Sequence, residues 1–394
     1  MKILIVSSYL PYPLLNGGNI RLYNIIKSLQ DKHEITLVCE KRETQTQDDV
    51  KEVEKICKKV ITVKRNKQWS IKNILKSGFS SIPFLVQGHT SKEFQDAISA
   101  ELDAGGFDLI HVETFYVMQN VPDYSLPIVL VEHNIEYLVY ERFMQKVPFI
   151  LKPFLAIDIN KIKKIEMAFW NQAKIIATVS DQERKIIGKN NCYVVANGVD
   201  TKQFAKKTVV KDFAKKQKKV LFIGDYAWLQ NSDAARYIIE EVWPFLSSQE
   251  DLSLWIVGRN MPQSLKDLGR GDKRIFFDDK NTSSASEIFT EADLLLAPIR
   301  VGGGTSYKII ESMAVGTPVV TTSLGHEGID VQKDRDILVA DDPESLSRAV
   351  CDILLDEERY QKLSSNSRKA VERIYDWSVI AKKMDEVYQK ALAG

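Results

Sequence analysis

Cysteine is scarce in this chain, and no two cysteines stand in a metal or redox spacing. Cys39, Cys57, Cys192 and Cys351 are far apart and form no C-x-x-C. That argues against a zinc site and for a reducing compartment. No apolar run approaches the roughly 20 residues that span a bilayer. Met1-Lys2 leads straight into Ile3-Leu4-Ile5-Val6 with turn residues behind it, not into a secretory leader, so a cytoplasmic location is expected. An excess of either charge is also missing. The 54 Lys and Arg against 53 Asp and Glu leave a net charge of +1, and no global field gathers nucleic acid. Neither G-x-G-x-x-G nor the P-loop pattern occurs, so the simplest dinucleotide and P-loop readings lack their fingerprint. What is present is an ordinary globular balance, 44% hydrophobic and 27% charged over 394 residues, long enough for two α/β domains with full cores.

The apolar pattern predicts strands alternating with helices, hence parallel sheets covered on both faces. In the first half, strands are expected at Ile3–Val6, Glu34–Val38, Val60–Val63, Leu109–Val112, Ile128–Val131, Ile175–Val179 and Tyr193–Val195. An amphipathic helix is expected at Ile20–Leu29 and another at Asp181–Gly188, capped by Ser180. Residues 202–219 hold eight lysines and few apolar anchors and read as a solvated linker. The scheme then restarts at Lys219–Gly224. It continues with helix Ala234–Phe245, strands Leu252–Val257 and Arg274–Phe277, helix Ser284–Ala292 and strand Leu294–Ala297. Ser345–Lys390 reads as mostly helical, with a break near Tyr375-Asp376-Trp377. The expected division is 1–203, 204–375 and a terminal helix 376–394.

The most informative stretch is 297–320. Strand Leu294–Ala297 runs into Gly302-Gly303-Gly304, and a helix opens at Thr305 or Ser306 and ends near Gly316. Lys308 and Glu311, three residues apart, share one face of that helix. Glycines allow a ligand close to the backbone, and a helix start offers free N–H groups to an anion. A lysine and a carboxylate one turn deeper can therefore hold a phosphate and a hydroxylated ring together. The loop Asn16-Gly17-Gly18, between the first strand and its helix, offers a second set of N–H groups. A plain turn explains one of those glycines better than two.

This combination resembles the donor-binding stretch of family-4 glycosyltransferases, with Pro318 completing the order of motifs. The resemblance implies the GT-B fold: two Rossmann-like α/β domains facing a cleft, the last helix crossing back onto the first domain. It implies a retaining transferase moving a sugar from a nucleoside diphosphate to an acceptor hydroxyl, in surface polysaccharide or glycolipid synthesis. Glu311 would bind the ribose. Gly302, Gly303, Gly304, Thr305, Ser306, Lys308 and Arg300, with Gly17 and Gly18, would surround the diphosphate. His133, in Glu132-His133-Asn134 behind a strand, would lie beside the transferred sugar, with His111, Glu113 and Glu136 as weaker candidates for the acceptor side. A buried structural histidine is the other reading of His133. In this family the leaving phosphate is thought to help deprotonate the acceptor, so no separate base is required.

Two departures stand out. Many members carry a second carboxylate where this chain has Gly303, and an arginine and a lysine where it has Asp225 and Gln230. The diphosphate must then be met elsewhere, with Arg259, Arg300 and Lys308 the nearest cations. Asp334-Arg335-Asp336 is formally Asp-x-Asp, but it sits in a late polar loop and reads as a turn. No metal and no cofactor are expected. Residues 143–170 mix Phe149, Ile150, Phe154 and other apolar side chains with Lys146, Lys152, Lys161, Lys163 and Lys164. That mixture suits either packing on its own domain or contact with an anionic membrane. A nucleotide-sugar 2-epimerase of the same fold and an inactive nucleotide-sugar-binding subunit remain as alternatives. The partners expected are a nucleotide sugar and a saccharide or lipid-linked acceptor.

Overall fold

The computed structural model describes residues 1–393 except 67–72, 74–76, 79, 146, 206–216 and 302–304. Lys146, most of the lysine-rich linker and the triple glycine Gly302–Gly304 therefore lie outside the described residues. The chain forms two compact units, Met1–Ala196 with Ile380–Gly394, and Asn197–Val379. The boundary thus falls inside the last helix, Trp377–Leu392.

The first unit is built on a parallel sheet of strands β1 (Lys2–Ser7), β2 (Glu34–Lys41), β3 (Lys59–Lys64), β4 (Leu109–Glu113), β5 (Ile128–Glu132), β6 (Ile175–Thr178) and β7 (Cys192–Val194). Their spatial order is β3-β2-β1-β4-β5-β6-β7. Strand β1 pairs in parallel with both β2 and β4. Ile3, Leu4, Ile5 and Val6 of β1 are 0–1% exposed. A parallel strand covered on both faces reads as an unbroken apolar run, and each such side chain contributes roughly 1.5–3 kcal/mol by leaving water. Helix Gly17–Leu29 buries Leu22, Ile25, Ile26 and Leu29, the i, i+3, i+4, i+7 stripe of a helix lying on a sheet. It starts three residues before the apolar pattern does. Asn16 accepts from the Asn19 N–H, satisfying one of the orphan donors of the first turn.

The second unit repeats the design with β8 (Lys218–Ile223), β9 (Leu252–Val257), β10 (Ile275–Asp278), β11 (Leu294–Ala297), β12 (Val319–Thr321) and β13 (Leu338–Val339), in the order β10-β9-β8-β11-β12-β13. Two helical stretches differ from expectation. The Ala234–Phe245 helix begins at Leu229 and widens into a π turn at Ile238–Val242 before Trp243–Leu246. Pro244 in the closing segment cannot donate to the carbonyl four residues back, and the widening falls beside it. The long C-terminal stretch has two breaks. Besides the one near Asp376, Asp356 ends Pro343–Leu355 and caps Glu357–Ile374 by accepting from Arg359 N–H.

In both sheets the order reverses at one place, between β1 and β4 and between β8 and β11. Ligands of open α/β sheets bind outside the carboxyl ends of the strands at such a switch point. The sequence places Ser7-Ser8-Tyr9 and Glu113-Thr114 at the first, and Gly224-Asp225 and Pro298-Ile299-Arg300 at the second.

Candidate active site

At the second switch point two glycines are packed too tightly to carry side chains. A Cβ on Gly258, whose φ is +138°, would lie 1.7 Å from the Gly224 carbonyl oxygen, and one on Gly224 would lie 2.6 Å from Asn231 Cγ. Only glycine fits either place. Asn231, 7% exposed, is consequently pressed against the end of β8. Its amide nitrogen donates to the Asp225 carbonyl at 2.8 Å, and its amide oxygen accepts from Lys308 Nζ at 2.6 Å. The same ammonium lies 4.4 Å from the Phe222 ring centre. Burial pushes the Lys308 amine down to about 7, against the pull of Glu311. Burial likewise pushes the Glu311 carboxyl up to about 7, against the pull of Lys308. Both groups are thus poised near neutrality on the first turns of helix Tyr307–Val315. An arriving anion would restore the lysine charge, and a pair of hydroxyls would suit the carboxylate.

The other donor-side residues are placed as follows. Ser306 is the N-cap residue of that helix, with no side-chain capping bond. Thr305 donates to the Gly328 carbonyl at 3.3 Å. Arg300 forks onto Asp233 with two 3.2 Å contacts, reaches Glu241 at 3.4 Å and stacks 3.8 Å from the Tyr237 ring centre. Arg259 is likewise engaged, donating to Asp225 at 3.1 Å. Burial opposes the charge of Asp225, but Asn260, the Ala227 N–H and Arg259 hold its carboxyl below the usual range. Of the three cations, Lys308 alone makes its hydrogen bond to a neutral partner among those described. Asp334-Arg335-Asp336 forms a turn: Asp334 has φ +62°, and Asp336 accepts from the Gln332 N–H and from Arg335. Among the described residues no group of three or more His, Cys, Asp or Glu is placed to hold a metal ion.

At the first switch point Glu113, the last residue of β4, is completely buried. Its carboxylate meets His111 Nε2 at 2.7 Å, His133 Nε2 at 2.6 Å and the Tyr9 hydroxyl at 3.2 Å. Burial alone would push this carboxyl up, but the two imidazoles hold it well below its ordinary value. It is an anion, and an acceptor only. His133, whose side chain is 19% exposed, is therefore held through Nε2, leaving Nδ1 as the ring atom that Glu113 does not engage. The next residue, Thr114, has φ +72° and ψ 145°, a region that costs a β-branched residue about 1–3 kcal/mol and that clusters at functional sites. Gly18 belongs to the same neighbourhood: a Cβ there would lie 3.1 Å from the Tyr9 hydroxyl oxygen. Gly17 and Gly18 open helix Gly17–Leu29. Glu136 plays a different part, starting helix Glu136–Gln145 with its N–H on Glu166 Oε1 at 2.9 Å.

The sequence pointed to His133 and to the Lys308–Glu311 pair. It gave Glu113 as a weaker candidate and did not point to Tyr9 or Asn231. A signal existed for two of these: Glu113 ends a strand at a sheet reversal, and Asn231 follows Gly224 by seven residues, at the start of the adjoining helix.

Two parallel sheets of this order, each with polar groups gathered at its switch point, are the Rossmann-like units of the GT-B fold. The fold is shared with sucrose-phosphate synthase from Thermosynechococcus elongatus (TM-score 0.74, 16% identity, 100% of both chains). It is also shared with Anabaena HepE in complex with UDP and glucose (TM-score 0.67, 15% identity, 99% of both chains). The model described as Glycosyltransferase Family 4 matches residues 15–203, and that described as Glycosyl transferases group 1 matches residues 217–356. Similar proteins include the putative glycosyltransferase YtcC of Bacillus subtilis (strain 168), 28% identical over 337 residues, covering 77% of this chain and 78% of that protein. Another is the phosphatidyl-myo-inositol mannosyltransferase of Mycolicibacterium smegmatis, 26% identical over 200 residues. That match covers 50% of this chain and 51% of the mannosyltransferase. The chain belongs to the family-4 glycosyltransferases.

Proposed function

We propose that this glycosyltransferase takes its sugar from a nucleoside diphosphate sugar and transfers it to an acceptor hydroxyl with retention of anomeric configuration. The observation that carries the reading is the Lys308–Glu311 pair, two groups brought near neutrality on one helix face at the carboxyl end of a parallel sheet. In this reading Lys308 meets the diphosphate, and Glu311 takes the ribose hydroxyls. Arg300 would join them only by releasing Asp233. The bond from the anomeric carbon to the phosphate oxygen breaks as the bond to the acceptor oxygen forms. The acceptor proton passes to the departing phosphate, so no protein base and no metal takes part. HepE, described in complex with UDP-glucose, supports a nucleotide-sugar donor for this fold. The mannosyltransferase, named for a phosphatidylinositol substrate, supports a glycolipid acceptor.

The test is a panel of nucleotide sugars with the purified chain. One donor is expected to raise the melting temperature by mass action. The same donor is expected to be turned over slowly in excess chelator, yielding product of the donor's own anomeric configuration by NMR. Inverted product, an epimerised sugar, or activity lost to chelator and restored by magnesium or manganese would each overturn a stated part.

The acceptor side carries a further expectation. Phe149 (85% exposed), Ile150 (76%) and Phe154 (73%) project beside Lys152. The far half of the same segment packs inward through Ile159, Ile162, Phe169 and Trp170. The segment is thus divided between packing and exposure, and an exposed apolar tip among cations suits an anionic bilayer. Vesicles containing phosphatidylglycerol are expected to sediment the protein and pure phosphatidylcholine vesicles to leave it in solution. Serines at 149, 150 and 154 should abolish sedimentation without lowering the melting temperature. Equal sedimentation with both vesicle types, or with the variant, would reject the surface.

A further inference from the structure

The bonds that hold His133 continue beyond Glu113 to the last helix of the chain. His111 Nδ1 lies 2.6 Å from the Tyr388 hydroxyl oxygen, and Tyr388 is 1% exposed on helix Trp377–Leu392. A carboxylate has no hydrogen to give, so both imidazole nitrogens facing Glu113 carry one. In the form of His111 that carries only the Nε2 hydrogen, Nδ1 is bare and takes the Tyr388 hydrogen. Burial, reinforced by the charge of Glu113, pushes the Tyr388 phenol up, so it keeps that hydrogen. Every bond in the chain then runs one way: Tyr388 to His111, His111 to Glu113, and His133 and Tyr9 to Glu113. His111 and Glu113 are fully buried, and the protein itself closes this end of the network.

We propose that Glu113 is a positioning residue that fixes His133 in its Nε2–H form, with Nδ1 presented to the reacting sugar, and that Tyr388 secures Glu113 through His111. The proposal rests on the reading of His133 as a residue beside the transferred sugar. Glutamine cannot replace this carboxylate. Its amide oxygen can accept from one imidazole, but its amide nitrogen donates, and the other imidazole must turn a bare nitrogen toward it. A wrong tautomer disables a histidine even where the geometry survives.

The experiment uses the full chain with 15N-labelled histidine. In the wild-type protein the His133 imidazole shifts are expected to show Nε2 protonated. Glu113→Gln is expected to change the tautomer of His133 or His111 and to lower kcat about tenfold or more, with donor KM unchanged. Combined with His133→Ala, Glu113→Gln should add no further loss, because it acts through that ring. Tyr388→Phe, a milder change should Glu113→Gln fold poorly, is expected to disturb the His111 shifts and lower kcat by a smaller factor. A wild-type His133 protonated at Nδ1 alone, a full-speed Glu113→Gln enzyme, or additive losses in the double variant would overturn the proposal. The two layers separate cleanly. If His133→Ala turns over at the wild-type rate, the reading of His133 falls and takes the proposal with it. If His133→Ala is slow while Glu113→Gln is fast, only the role of Glu113 falls.

Discussion

Replacing His133 with alanine is expected to lower turnover about a hundredfold while leaving nucleotide affinity nearly unchanged. The separation follows from placement. His133 stands behind β5 in the first unit, tied to a buried carboxylate, whereas the groups assigned to the nucleotide stand behind β11 in the second. A group felt mainly in the transition state lowers kcat and kcat/KM together. The loss leaves Glu113 a buried anion short of one donor in either case and lowers the melting temperature, but a purely structural histidine would leave the activity per folded molecule intact. Steady-state kinetics and thermal unfolding on one preparation distinguish the two. A destabilised variant that is fully active per folded molecule would return His133 to the framework.

Glu311→Ala is expected to weaken nucleotide binding roughly ten- to a hundredfold, since a hydrogen bond to a charged group is worth about 1.5–3 kcal/mol. The pH dependence carries the same argument further. Lys308 is charged below about 7 and Glu311 above about 7. Binding that needs the ammonium weakens as pH rises through that value, and binding that needs the carboxylate weakens as pH falls through it. Affinity for a nucleotide sugar is therefore expected to peak near neutrality. Glu311→Gln should remove the acid limb, and Lys308→Met the alkaline one. Each substitution also shifts the surviving limb away from charge: without Glu311 the amine falls further, and without Lys308 the carboxyl rises further. Calorimetry across the range 5.5 to 8.5 (about one and a half units either side of the expected crossing) checks the shape. A flat profile would dismiss both assignments.

Why some of this was legible in the sequence is a matter of range. Strands β1 and β11 were readable because a strand buried on both faces is an unbroken apolar run. Lys308 and Glu311 were readable because a helix puts residues three apart on one face. Gly17 lies inside its helix although glycine is a poor helix former, because the Asn16 side chain caps that end. The network at Glu113 was not readable by any local rule. Tyr9 is 104 residues from Glu113, and Tyr388 is 277 from His111; the sheet order brings the first pair together, and the last helix, joined to the first unit, brings the second. Asn231 escaped notice because its position is dictated by what Gly224 and Gly258 lack.

The boundary inside the last helix bears on how the molecule is made. A ribosome delivers residues 1–196 first, but the unit they belong to also requires 380–394. Until those residues emerge, His111 has no Tyr388, and His33 has no Asp385, its partner at 2.8 Å. The hydrophobic seats of Ile380, Met384 and Val387, all buried in the finished protein, stay unfilled as well. The first unit to be synthesised is thus the last to be completed, and the whole of the second must be translated in between. The assembled hydrogen-bond network around His133 therefore exists only in chains that have reached their final turns of helix, so a nascent or prematurely terminated polypeptide carries the histidine without the arrangement that aims it.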